Sequence, residues 1–355
     1  MEVDKYTIWR TIKNKRTTSK ESLNIVEQKQ SNLNFLPIER SPTVDWYRNK
    51  VEFSYWKYIS AKYWIEQHFN LGFHKQWEFS KIQDMEWCPL IDEVQNEIYR
   101  DIKIFSKTLW LPVYDSMRAE GFFRHIMIRR TFFWNEMMIL LSFNPKYFEK
   151  NTKLNKDKKL LLIKDFLISL TEKYNIIKSI YFSHNPNKAD VCIGDLELIY
   201  WNSTIKENLH WLTFDISPTS FFQTNSNWAE RLYSLVLDFA HKDKLENFIV
   251  LDLYGWTWTI WMIFAKAGAK YVTSVELVTS ASKDWEKNAK MNNIKNMNFV
   301  NAKVEVFLDR YLKEWNTSDL LVIDPPRSWM HPDALPNILK FDTNQIIYVS
   351  CNPST

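Results

Sequence analysis

The chain has 355 residues, with 46 Lys and Arg against 42 Asp and Glu, a mildly basic balance that neither requires nor excludes a nucleic-acid partner. That length suits two domains with a sizeable core. Three widely spaced cysteines (Cys88, Cys192, Cys351) suit a reducing compartment without a disulfide framework; there is no apolar run of about 18 residues to cross a membrane and no signal-peptide core, so a cytoplasmic protein is expected.

In chain order, residues 1–40 read as a polar extension, partly helical near 22–33. From residue 41 to 217 the texture is of short segments with period two, at 51–55, 123–130, 137–143 and 196–200, with one helical pattern at 160–173. This predicts a central α+β domain with a mainly antiparallel sheet. Basic residues cluster here: Arg124, Arg129 and Arg130 precede a stretch, 144–164, holding seven Lys against two acidic residues. Such a run is usually a solvated face, but it is also a candidate phosphate-contacting surface.

After Pro218 the period changes. Residues 225–241 have helical spacing, and strands then alternate with helices: strands at 248–253, 271–275, 298–300, 319–323 and 345–350, helices at 258–267, 280–292, 303–314 and 332–340. Five strands alternating with helices predict an α/β, doubly wound Rossmann-like domain over 218–355. Its first strand closes on Leu251-Asp252-Leu253-Tyr254-Gly255-Trp256-Thr257-Trp258-Thr259-Ile260-Trp261. In such folds this turn is glycine-rich, because the backbone must approach a ligand closely. Glu276 ends the second strand, where a carboxylate can accept hydrogen bonds from ribose hydroxyls.

The tryptophans in that turn belong to a wider anomaly. The chain has 17 Trp and only 5 Gly, together 22, whereas ordinary usage of about 7% Gly predicts roughly 25 glycines. Either the protein is truly Trp-rich, or a codon that the source organism reads as Gly has been written as Trp. Read as Gly, positions 256, 258 and 261 complete a convincing nucleotide-binding turn.

Two further segments lie at the carboxyl ends of predicted parallel strands, where ligands bind in open α/β sheets. They are Asp324-Pro325-Pro326-Arg327 and Tyr348-Val349-Ser350-Cys351-Asn352-Pro353. A lone cysteine is more often a small buried hydrophobe than a nucleophile; its place beside a cofactor site reverses those odds for Cys351. Methylating uracil at C5 needs such a thiolate, because addition at C6 is what makes C5 nucleophilic, and a general base must then remove the C5 proton.

Four ordered segments, 221–225 (Phe-Phe-Gln-Thr-Asn), 252–261, 324–327 and 349–353, together resemble the RNA uracil-C5 methyltransferases, a family that includes enzymes of 23S rRNA and of the tRNA T-loop. Trp46-Tyr47-Arg48-Asn49-Lys50, Leu71-Gly72-Phe73-His74 and Phe123-Arg124-His125 resemble motifs of that family's central domain. The resemblance implies S-adenosylmethionine as cofactor, contacted by Gln223, Tyr254, Thr259, Glu276 and Asp324, with Cys351 as nucleophile. It implies an RNA partner and a monomer, with a 23S rRNA uridine as the first substrate reading and the tRNA T-loop as the alternative. It also expects Gly where this chain has Trp46, Trp56, Trp77, Trp110, Trp134, Trp211, Trp256, Trp258, Trp261 and Trp329, which favours a codon, reassigned from stop, that is translated as Gly.

The chain departs from the family pattern in several places. Cys88 resembles the last of four iron–sulfur ligands but no cysteine precedes it, so no cluster is expected, and no metal site is predicted. Residues 1–40 leave no room for the oligonucleotide-binding barrel often found in relatives. Lys303 stands where relatives place an acidic or amide residue. The family's general base is a Glu beyond the Cys motif, past Thr355; the sequence is therefore expected to be a fragment, with 345–350 as an exposed sheet edge, able to trap RNA covalently without efficient release. Two other classes compete: an amino-methyltransferase, whose Asn/Asp-Pro-Pro-aromatic loop would need no Cys, and an inactive RNA-binding relative.

Overall fold

A computed structural model describes residues 36–57, 69–115, 118–151, 155–240, 242–255, 259–277, 280–314, 316–325, 333–341 and 343–350. Cys351, Trp256, Trp258, Trp329, Pro326, Arg327 and the predicted helix near 22–33 lie outside them.

The first half builds one seven-stranded sheet. Its strands are β1 Lys50–Lys57, β2 Phe69–Lys75, β3 Glu78–Asp84, β4 Phe123–Arg130, β5 Met137–Phe143, β6 Ile177–His184 and β7 Asp195–Trp201, in the order β3-β2-β1-β4-β5-β6-β7. Neighbours pair antiparallel except β5 and β6. A parallel pair needs a crossover, and the helix Lys156–Lys173, capped by the Asn155 side chain on Lys158 N–H, supplies it. The expected helix at 160–173 thus starts a turn earlier. The helix Glu93–Thr108, capped by Asp92, was not foreseen; its polar residues Gln95, Asn96, Lys103 and Ser106 are buried and blur the apolar stripe.

β4 and β5 are buried along nearly their whole length. Alternate side chains point to opposite faces of a strand. Ile126, Ile128, Ile139 and Leu141 pack with Ile98, Ile102 and Leu167 under the helices, whereas Met127, Met138 and Leu140 share a cluster with Phe214, Ile216 and, from the second half, Trp261. Both faces are therefore core, and a continuous apolar cluster joins the two halves.

A hairpin, β8 Ile205–Leu209 with β9 Leu212–Ile216, and a helix, Ser226–Phe239, lead into the second half. There β10 Ile249–Leu253, β11 Tyr271–Glu276, β12 Met297–Asn301, β13 Leu320–Ile323 and β14 Gln345–Tyr348 form a wholly parallel sheet in the order β12-β11-β10-β13-β14. The helices Thr259–Lys266, Ser280–Met291, Val304–Lys313 and Ala334–Leu339 connect them. Every predicted strand and helix of this half is present, each within about two residues of its expected bounds. Among the described residues β14 is an edge strand.

Candidate active site

The strand order reverses direction between β10 and β13. In open parallel sheets that switch point leaves a crevice at the carboxyl ends of the strands. Tyr254 follows β10 directly, Glu276 ends β11 and Asp324 follows β13, so three of the expected cofactor residues converge there. The backbone closes the ends together: Tyr254 N–H donates to Val275 O at 3.1 Å, Asp324 N–H to Leu253 O at 3.2 Å and Val349 N–H to Ile323 O at 2.8 Å. Tyr254 adopts φ 64°, a left-handed conformation costly for a side-chain-bearing residue and concentrated at functional turns. Gly255 is required beside it, because a Cβ there would lie 2.0 Å from Ser274 Oγ.

Beneath this turn the electrostatics are unusual. Asp252 is buried; its Oδ2 accepts from Ser274 Oγ at 3.1 Å, while its Oδ1 has no hydrogen-bond partner. Burial raises the Asp252 carboxyl well above the ordinary range, the Ser274 hydrogen bond opposes this, and the charges of Asp324 and Glu276 add to the rise. Burial likewise pushes Asp324 up to about 7. Glu276 Oε1 accepts from the Leu277 N–H at 2.8 Å. Buried carboxyls gathered at these strand ends favour a cation or a hydrogen-bond donor arriving from outside. Asp252 is not among the residues that the motifs single out, although an acidic residue in the first strand-to-turn segment is its visible signal.

The remaining expected residues are Thr259, Gln223 and Cys351. Thr259 opens its helix, yet its side chain is buried and its hydroxyl donates to Tyr233 OH at 2.9 Å, so it braces the helix Ser226–Phe239 from below. Gln223 is half-buried on the 221–225 segment, which is tied to β1: Asn49 donates its N–H to Thr224 O at 2.8 Å and its side-chain amide to Gln223 O at 2.7 Å. Cys351 follows β14 in sequence but lies outside the described residues. Trp261 is fully buried against Trp285 and Phe299, its ring centroid 5.6 Å from that of Trp285, and both indole N–H groups lack partners.

The expected basic surface needs correction. Arg124 and Arg129 are buried cations committed to carbonyls. Arg124 donates to the carbonyls of Asn185, Asn187 and Ala189 and lies over the Tyr114 ring; Arg129 donates to Ser217 O at 2.9 Å and Ser220 O at 2.8 Å. Arg130 pairs with Asp92. Sequence clustering could not distinguish these from solvent-facing charges. Lys146, Lys156 and Lys158 are exposed.

The profile of the tRNA (uracil-5-)-methyltransferase family matches residues 195–355. An uncharacterized RNA methyltransferase of Clostridium tetani is 35% identical over 92% of this chain and 68% of its own length. The chain belongs to the RNA (uracil-5-)-methyltransferase family. A relative from Fusobacterium nucleatum, also an uncharacterized RNA methyltransferase, is 36% identical over 80% of the chain, which spans only 58% of that relative's length. Among solved structures, the tRNA (uracil-54, C5)-methyltransferase of Pyrococcus abyssi in complex with S-adenosyl-L-homocysteine is similar at TM-score 0.66 and 26% identity, over 88% of this chain and 68% of that one. Within the family the α/β sheet and its switch point take the place expected of a Rossmann-like methyltransferase fold. No helix among the described residues is long and apolar enough to cross a membrane.

Proposed function

We propose that the protein methylates C5 of a uridine in RNA, with S-adenosylmethionine bound at the crevice between β10 and β13 and Cys351 as the nucleophile. The observation that carries the reading is the orphaned Asp252 Oδ1 beneath the Tyr254–Gly255 turn, with Glu276 and Asp324 at the neighbouring strand ends. A ligand bearing ammonium and sulfonium charges and ribose hydroxyls complements that set. When bound, S-adenosylmethionine would supply an electrophilic methyl group.

The residues divide the remaining work. Glu276, at the end of β11, would accept from the ribose hydroxyls. Tyr254 would lie against the nucleoside, and Gln223 and Asp324 would orient the cofactor beside the base. The Cys351 thiolate would add to C6 of uracil, and elimination would return the thiol after a base takes the C5 proton. The base must first be turned out of its RNA stack to reach the thiolate. The exposed lysines at 146, 156 and 158 supply a surface for phosphates. The first substrate reading is a uridine of 23S rRNA; the tRNA T-loop is the second, favoured by the likeness to the Pyrococcus enzyme. A cytoplasmic monomer, with a division into domains near residue 217, completes the reading.

The test is Cys351→Ala in the full-length protein. Loss of 5-methyluridine formation, with S-adenosylhomocysteine binding kept, is expected; undiminished methylation would exclude the thiolate route. Mapping 5-methyluridine in rRNA and tRNA from a deletion strain identifies the substrate.

A further inference from the structure

We infer that Asn49, just before β1, and Arg129, on β4, are positioning residues for the cofactor crevice of the other sheet. They hold the segment 217–226, which carries Gln223. Asn49 stands just before β1 and is buried. Its amide donates to Gln223 O at 2.7 Å and to Ser226 Oγ at 2.9 Å, and its N–H to Thr224 O at 2.8 Å. Arg129, also buried, spans Ser217 O and Ser220 O with its two terminal nitrogens. Burial lowers its guanidinium to about 10 and the Glu52 charge opposes this; the two carbonyls give the buried guanidinium its hydrogen-bond partners.

The far side of the segment is fixed as well. Asp284, on the helix Ser280–Met291 after β11, accepts from Ser217 Oγ at 2.8 Å and Ser220 Oγ at 2.7 Å. Ser226 opens the next helix, and Glu207 reaches its hydroxyl while also accepting the N–H groups of Phe132 and Phe133. The segment is therefore bonded by side chains from both halves of the molecule at once. A small displacement of β1 or β4 moves the backbone of Gln223, and a displacement of about 1 Å at a site can cost orders of magnitude in function.

This inference rests on reading Gln223 as a cofactor contact, and a double-mutant cycle separates the two. In the full-length protein, S-adenosylhomocysteine affinity is measured by calorimetry, and thermal unfolding is followed, for the parent, Asn49→Ala, Gln223→Ala and the pair. Positioning predicts about tenfold weaker binding for Asn49→Ala in the parent, and little further loss once Gln223 is already Ala. Equal loss in both backgrounds, or none, overturns the inference while leaving Gln223 a contact. Unchanged binding by Gln223→Ala overturns the reading of Gln223 and the inference built on it. Should Asn49→Ala not fold, Asn49→Ser carries the same comparison.

Independently, the structure assigns glycine as the native residue at positions 46, 77, 110 and 201. Among the described residues nine that bear side chains have left-handed φ, and four are tryptophans: Trp46 at 54°, Trp77 at 71°, Trp110 at 54° and Trp201 at 47°. Trp77 lies in the β2–β3 turn, and Trp110 directly follows Leu109, the C-cap of the helix Glu93–Thr108, where glycine is the usual residue because it has no Cβ to clash. All four indoles are exposed, Trp77 by 84% and Trp110 by 72%, so burial does not recover the cost of the conformation. Position 201 is new: motif resemblance does not single it out, and the backbone does. The common cause is one codon translated as glycine in the source organism. Peptide mass spectrometry of the protein purified from that organism is expected to show glycine at all four positions; a tryptophan mass at any one of them overturns the assignment.

Discussion

The two sheets bury charge in opposite ways. In the seven-stranded sheet and its helices the terminal nitrogens of the buried cations are bonded to protein oxygens, while Nε of Arg124 and of Arg129 is unpaired. Arg124 and Arg129 donate to backbone carbonyls, and Lys103 to Asp84 and the Met85 carbonyl. At the carboxyl end of the parallel sheet, burial and the charges of Asp324 and Glu276 raise the Asp252 carboxyl, and burial raises that of Asp324. A committed charge fixes structure; an uncommitted one stores free energy that a ligand can release. The first sheet is built as a scaffold, and the second carries the crevice proposed as the site.

Arg129→Met tests the scaffold side most severely. It leaves two buried carbonyls without donors, at about 1–3 kcal/mol each, and denaturant unfolding should show a loss of that size; unchanged stability would mean that water replaces the guanidinium. Asp252→Asn should behave the other way. Because burial already favours the neutral acid, the neutral amide leaves stability level, whereas S-adenosylhomocysteine affinity falls about tenfold, ~1.4 kcal/mol. If it destabilises as Arg129→Met does, the contrast between the sheets collapses.

A subtler effect is a pH dependence. Burial holds the Asp324 carboxyl at about 7 in the folded protein, above its value of about 3.9 in the unfolded chain. Its contribution to stability is thus complete below about pH 4 and lost as pH rises through about 7. Asp324→Asn should flatten that part of the stability–pH profile in a denaturation series; an unaltered slope would place its source elsewhere. The smallest effect belongs to Trp110→Gly, which relieves a left-handed side chain and should raise stability by roughly 1 kcal/mol. A fall would argue for a native indole there.

The parallel half was legible because each strand and helix carries its own period, and a doubly wound order puts strand ends where the motifs sit. Tyr254, Glu276 and Asp324 therefore stand at the carboxyl ends of β10, β11 and β13. The first half was read less well. The helix Glu93–Thr108 hides buried polar residues, and β6 and the β8–β9 hairpin were not separated by period alone.

The amino-acid sequence determined the alternation of strands and helices, the motif order and the tryptophan anomaly, because these are local or compositional. Only the tertiary structure decided which charges are exposed. Arg124 and Arg129 look like a basic patch in the sequence, yet they are buried donors, since their partners lie tens of residues away. Tertiary structure also turned Thr259 toward Tyr233 and left Asp252 Oδ1 unpaired. Hydrogen bonds between distant segments, and the desolvation that accompanies them, have no signature in linear spacing.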